Sequence, residues 1–352
     1  MLPFSRYLLD TAAASVDRAV VVAMQMRGRS VRGRAEAMPH EKRMERLALI
    51  RETYGSPELV TRPEAFFVPP PAVEPSVRTV RRLPWGAECL EASWPSAFEP
   101  FAPGVRDAYL AHVANRTAYA RLYTSGGPRP AAILVHGYMG GPWAIEERAW
   151  PVRWLNQHGL DVALVVLPFH GVRARAEGGA PLFPGADPRF TNEGFRQTVA
   201  DLRVLIALLK GRGATAVGVM GMSLGGYTTA LMATLEEELA FAVPLIPLSS
   251  LADFARDQGN LGAGEQAAAQ HAALEAANHV VSPFARPSRV APGRVLVVGA
   301  EADQVTPIAH AERIAAHLGV QLLRVPGGHL VQTWRREAFH AAREMLRRNG
   351  VV

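Results

Sequence analysis

Ser223 stands in Gly221-Met222-Ser223-Leu224-Gly225, where an apolar run from Ala216 meets helix-forming text from Gly226. A serine hydroxyl is a poor nucleophile at neutral pH. It needs an imidazole to take its proton and a carboxylate to hold that imidazole in the right tautomer. Both residue types occur further on, each after a short apolar run. Asp303 lies in Gly299-Ala300-Glu301-Ala302-Asp303 after Val295–Val298, and His329 follows Gly327-Gly328 after Val320–Val325. Glu301 and Asp253 are the competing acids. Backbone donors must also meet the oxyanion of an acyl-transfer intermediate. Leu224, at the start of the helix after the serine, and Tyr138, in His136-Gly137-Tyr138, carry the candidate N–H groups, with Met139 as the substitute. Met139, Met222 and His170 are the candidate substrate contacts, although His170 also suits a structural place on the rim.

For these residues to meet, each must lie on a loop at the carboxyl end of a parallel strand, because such loops converge on one rim. The text from residue 131 allows this. Ala131–Val135, Val162–Leu167, 216–222, Phe241–Ile246, Val295–Val298 and Val320–Val325 read as buried strands, separated by helical stretches. That alternation predicts an α/β fold with a mostly parallel sheet covered on both faces. Pro151 should divide the helix that starts at Pro142, and Pro244 weakens the strand reading at 241–246. Gly221 and Gly225 are required if strand and helix close tightly around Ser223.

Upstream, residues 5–26 and Glu41–Tyr54 read as helices, and the proline-rich stretch 60–86 as an extended connector. Residues Glu88–Trp94, Ala108–Val113 and Thr117–Thr124 read as short β-like runs. The expected division is an N-terminal helical segment with its connector (1–86) and one α/β domain (87–352). Residues 248–290 break the alternation and form a helical insertion.

Four stretches together resemble the α/β-hydrolase superfamily over about residues 105–348: His136-Gly137-Tyr138-Met139-Gly140-Gly141, Gly221-Met222-Ser223-Leu224-Gly225, Asp303 with its neighbours, and Gly328-His329. The chain order serine, acid, histidine is that family's order. Leu167-Pro168-Phe169-His170-Gly171 is most similar to the dienelactone-hydrolase and prolyl-oligopeptidase-like esterase branch. The dienelactone type uses cysteine where this chain has Ser223, so its substrate is not implied. The resemblance implies an α/β-hydrolase fold with a lid at 248–290. It further implies a serine hydrolase acting on a carboxylic ester or related acyl compound, with no metal and no organic cofactor. Thioesterase, peptidase and acyltransferase chemistry use the same triad, and a non-catalytic hydrolase-like module is the remaining alternative.

Composition narrows the partners. The net charge is +6, but the basic residues are scattered arginines with acids among them, and only Lys42 and Lys210 are lysines. No nucleic-acid-binding stripe is expected; a small-molecule substrate is. Cys89 is the only cysteine, which favours a reducing compartment and a cytoplasmic location. No apolar run is long enough to span a membrane, and the N-terminus lacks the order of a signal peptide. Arg27, Arg29, Arg32 and Arg34 leave open a weak membrane contact through a basic N-terminus.

Overall fold

Apolar side chains in the central strands alternate between two packing layers. Ile133, Val135, Val217 and Val219 face one core, while Ala132, Leu134, Met220 and Met222 face the other. A strand buried on both faces must be apolar at every position, which is why these segments read as continuous runs. In the computed structural model, which describes residues 10–19, 21–22, 38–175, 179–185 and 187–352, they form the middle of one nine-stranded sheet.

The strands are β1 (Ser76–Arg82), β2 (Glu88–Pro95), β3 (Thr117–Thr124), β4 (Arg129–Val135), β5 (Asp161–Val165), β6 (Ala214–Met222), β7 (Ala242–Leu245), β8 (Val297–Ala300) and β9 (Leu322–Val325). Their order is β1-β2-β3-β5-β4-β6-β7-β8-β9. Pairing is antiparallel from β1 through β3 to β5, and parallel from β5 onward. The carboxyl ends of β5, β4, β6, β7, β8 and β9 therefore share one rim. Pro244 sits inside β7. The carbonyl of Ala242 and the N–H of Ile246 both bond toward β8, so by the strand's two-residue alternation the missing donor of Pro244 faces the same side. There β7 and β8 share a single paired position, Leu245 with Val298.

Two upstream expectations are corrected. Residues 108–110 are not a strand; they end a helix, Pro103–Leu110. Pro103 favours a helix start, and Val105 and Tyr109, one turn apart, are its buried residues. The expected connector contains β1, an edge strand whose arginines Arg78, Arg81 and Arg82 are exposed, as suits an edge protected against further pairing. Helix His40–Tyr54 is present, and helical backbone covers 10–19 and 21–22, the described part of the stretch 5–26. Arg27, Arg29, Arg32 and Arg34 lie outside the described residues. Among the described residues no helix is long and apolar enough to cross a membrane.

The break in alternation at 248–290 is a helical insertion, with helices Leu251–Asp257 and Gly264–Ala277 and short turns after them. It is fastened from both sides. Arg43 donates to the Asn260 carbonyl (3.1 Å) and to Gln270 Oε1 (2.7 Å), while Asn192 Nδ2 donates to the Ala277 carbonyl (2.9 Å).

The tightest approach of backbone to backbone lies where helix Leu224–Leu235 leaves β6. A Cβ on Gly225 would stand 2.0 Å from the Val135 carbonyl oxygen, and one on Gly221 2.0 Å from the Gly225 carbonyl oxygen. Gly225→Ala is therefore expected to lose at least about 3 kcal/mol in chemical denaturation, since neither contact is with a side chain that can yield. Gly104→Ala, in an exposed helical turn with no atom within 4 Å, should instead gain about 0.5–1 kcal/mol.

Candidate active site

Ser223 has φ 58° and ψ −112°, a left-handed backbone that a residue with a side chain rarely adopts. It is held there from both sides: its N–H donates to the Leu245 carbonyl (3.0 Å), and its carbonyl accepts from the Tyr227 N–H (3.0 Å). The strain has company. Met139 (φ 67°), Phe169 (61°) and Ile246 (39°) are the other non-glycine residues with positive φ among those described. They follow β4, β5 and β7 as Ser223 follows β6. Backbone strain of this kind collects at functional sites, and here it marks one rim.

The loop after β4 lies against Ser223. A Cβ on Gly137 would come within 3.4 Å of Ser223 Cβ. His136 fixes this loop: its Nδ1–H donates to the Gly137 carbonyl (2.7 Å), and its Nε2 accepts from the Leu167 N–H (3.1 Å). Burial lowers its pKa, against the opposing pull of Glu146, so it stays neutral and serves as a strut between two rim loops. Glu146 completes the frame by accepting from the Gly141 N–H (2.8 Å) and Trp150 Nε1 (3.2 Å). Leu224 is the first residue of its helix, so its N–H has no intrahelical acceptor and lies at the positive end of the helix dipole.

His329 and Asp303 meet across the loops after β9 and β8. His329 Nδ1 lies 2.7 Å from Asp303 Oδ2. Asp303 Oδ1 accepts from the N–H groups of Val305 and Thr306, both at 2.8 Å. The Thr306 hydroxyl lies 3.0 Å from Asp303 Oδ2 and 3.1 Å from His329 Nδ1, bracing the pair. Burial alone would lower the pKa of His329. The charge and hydrogen bond of Asp303 outweigh it, with Asp17 adding to them, and the net shift is upward. Gln332 Nε2 ties this loop to the elbow, donating to the His329 carbonyl (2.9 Å) and approaching Met222 Sδ at 3.0 Å.

Of the competing acids, Asp253 is engaged elsewhere, with Ser249, His271, Arg256 and Arg313. Glu301 is exposed. A second serine–histidine–aspartate arrangement, Ser249 Oγ to His310 Nδ1 (2.8 Å) and His310 Nε2 to Asp257 Oδ2 (2.9 Å), is closed off at its serine and histidine. Ser249 is fully buried, and its hydroxyl also contacts Asp253, so the arrangement packs the insertion against helix Ile308–His317. Asp253, His271 and Glu275 cluster closely enough to ligate a cation, but two guanidinium groups already occupy the Asp253 carboxylate.

The substrate-contact candidates divide. Met222 flanks Ser223, and Met139 is 52% exposed on the rim. His170 is buried beside Tyr138 and Phe183, with Nδ1–H donating to the Pro168 carbonyl (2.8 Å). Burial, with His136 adding to it, takes its pKa down to about 3, so it is neutral. Four supports of the site escaped sequence reasoning. Thr306 stands in the Asp-x-x-Thr spacing that suits a carboxylate turn, and Glu146 is the buried member of the acid pair Glu146-Glu147 on an otherwise partly exposed helix, Trp143–Ala149. Asp10 and Asp17, seven residues apart with Ala13 and Ala14 between, put two carboxylates on the small-residue face of one helix.

Residues 191–344 match the prolyl oligopeptidase family. Over 338 residues, 93% of this chain and 80% of the relative, the sequence is 29% identical to an uncharacterized protein of Mycobacterium tuberculosis. Among solved structures, acetyl xylan esterase 1 from Thermoanaerobacterium sp. superposes with a TM-score of 0.57 at 16% identity, over 85% of this chain and 98% of that one. An acetyl xylan esterase from a Paenibacillus species gives 0.55 at 15% identity, over 84% and 98%. At such identities the structures share the fold; with the family match they support an enzyme of the serine hydrolase type.

The electrostatics of His329 can be checked in the resting protein. Its imidazole should titrate by NMR above the ordinary value of 6.5, with the Nδ1–H tautomer in the neutral form. Asp303→Asn removes the two largest upward influences and leaves burial, the largest influence of all, opposed only by Asp17, so the titration should drop below 6.5.

Proposed function

We propose that this chain, an α/β-hydrolase by fold, is a serine hydrolase that cleaves carboxylic esters through an acyl-enzyme on Ser223. One observation carries the reading: a strained serine at the strand-to-helix elbow shares its rim with a buried histidine held by a carboxylate. Ser223 Oγ attacks the ester carbonyl while His329 Nε2 takes its proton. Asp303 holds the imidazole through Nδ1–H and stabilises the imidazolium. The main-chain N–H groups of Tyr138 and Leu224 receive the oxyanion, each contributing about 3 kcal/mol to the transition state. Collapse expels the alcohol, which takes its proton from His329. Water, deprotonated by His329, then attacks the acyl-enzyme and frees the acid and Ser223. The chemistry needs no cofactor.

An apolar acyl group is favoured. Met139, Val172 and Leu330 are each about half exposed, at 52%, 50% and 49%, on the loops after β4, β5 and β9. Gly141 and Gly171 pack backbone against backbone, which brings the first two of these loops together. Apolar side chains left in water around a reactive serine suit a substrate that covers them. The prolyl oligopeptidase match favours peptide cleavage as the second reading.

A panel of p-nitrophenyl esters, acyl-CoA thioesters and aminoacyl peptides separates the two. Turnover is expected on the esters, rising from acetyl to medium chains, with little on the peptides. Ser223→Ala should lower kcat by at least about 10⁴-fold while the protein stays folded. Peptide cleavage without ester turnover would favour the second reading, and full activity in Ser223→Ala would overturn both.

A further inference from the structure

Asp17, on the N-terminal helical stretch 10–19, is fully buried, and the chemistry above assigns it no part. Its Oδ2 accepts from the His329 N–H at 2.7 Å and the Gln304 N–H at 3.3 Å, and its Oδ1 from the Leu330 N–H at 3.0 Å. Two turns earlier on the same face, Asp10 Oδ1 accepts from the Gly327 N–H at 2.6 Å. The surfaces are fitted to each other. Ala13 is fully buried between the two acids, and a Cβ on Gly328 would stand 2.5 Å from Asp17 Oδ2 and 3.3 Å from Ala13 Cβ. Arg18 Nε reaches Gln304 Oε1 at 3.3 Å, on the acid's own loop.

Burying a carboxylate is expensive unless its lone pairs are met, and here main-chain N–H groups meet them. An alanine in its place would pack the helix at lower cost. What the carboxylate adds is a bridge between two loops: Gln304 follows the acid Asp303, and His329 is the base. We propose that Asp17 is a positioning residue for the His329 base, tying the backbone of His329 to the backbone beside Asp303 and placing a second fixed negative charge near the imidazolium. The helix that carries it is then part of the active-site framework, although it lies some three hundred residues away in sequence. Among the described residues, Asp303 from the loop after β8 and Asp17 from this helix are the charged groups that act on His329.

Asp17's role rests on His329 being the base proposed above, so one readout is chosen that does not depend on turnover. In full-length Asp17→Ala, hydrogen exchange of the resting protein should accelerate at the 327–330 amides. With the best ester, kcat should fall about 10–100-fold with KM little changed, the loss expected when a base is misplaced. The acid limb of the kcat/KM profile should move to lower pH, because the removed charge favoured the imidazolium. Gly328→Ala, which drives a methyl group into Asp17, should reproduce these effects. Asp17→Asn keeps the size and one acceptor oxygen; it should be intermediate, and it carries the same readouts if Asp17→Ala does not fold. Unchanged exchange at 327–330 would overturn the assignment. So would a wild-type kcat and pH profile in a folded variant, even with a lowered melting temperature. Faster exchange in a protein whose wild type turns over no ester would uphold the brace and sink the esterase reading instead.

Discussion

The rest of the site depends on one close approach, that of helix Leu224–Leu235 to the ends of β4 and β6. Gly221 and Gly225 admit it, since any side chain at either would enter a carbonyl group. Three consequences follow from that single constraint. Ser223 is forced to positive φ at the apex. The helix N-terminus, with its unbonded N–H groups, comes to lie beside the hydroxyl. The loop after β4 is pressed against the serine, with Gly137 nearly in contact with its Cβ. The proposed nucleophile, a positive helix end and the loop that carries the second proposed oxyanion donor are thus brought together by packing.

The polar residues around this point do two kinds of work. His136 and His170 are buried and neutral, and they stiffen the loops after β4 and β5 through contacts with carbonyl and N–H groups. His329 is also buried, yet its pKa moves the other way, because a carboxylate reaches its Nδ1. Three histidines of one rim therefore differ in charge behaviour through their partners rather than through burial. Deeper down, Arg173 pairs with Asp201 at 2.8 Å and bonds the carbonyls of Val166 and Asn115, anchoring the loop after β5 to helix Pro188–Gly211. Breaking such a pair would leave a buried charge, so the rim rests on supports that do not loosen readily.

Much of this was legible in the sequence, for a physical reason. In a parallel sheet buried on both faces, strands announce themselves as apolar runs, and functional residues must follow them. Ser223, Asp303 and His329 could be placed on one rim from that rule alone. Where the rule does not apply, reading was poorer. Ala108–Val113 resembles a strand in composition, but Pro103 and the spacing of Val105 and Tyr109 make 103–110 a helix. β1 hides in a proline-rich stretch because an edge strand needs no apolar alternation. Asp17 was beyond reach: its partners are Gln304, His329 and Leu330, and no local pattern records a contact made across nearly the whole chain.

If packing and the Asp303–His329 pair act as proposed, one serine is reactive among many. Intact-mass and peptide mapping after treatment with a fluorophosphonate tests it most directly. A single adduct is expected on the peptide containing Ser223, slowed in Asp303→Asn and absent in Ser223→Ala. A folded protein that takes up no adduct, or takes it up on another serine with Ser223 unmodified, would contradict it.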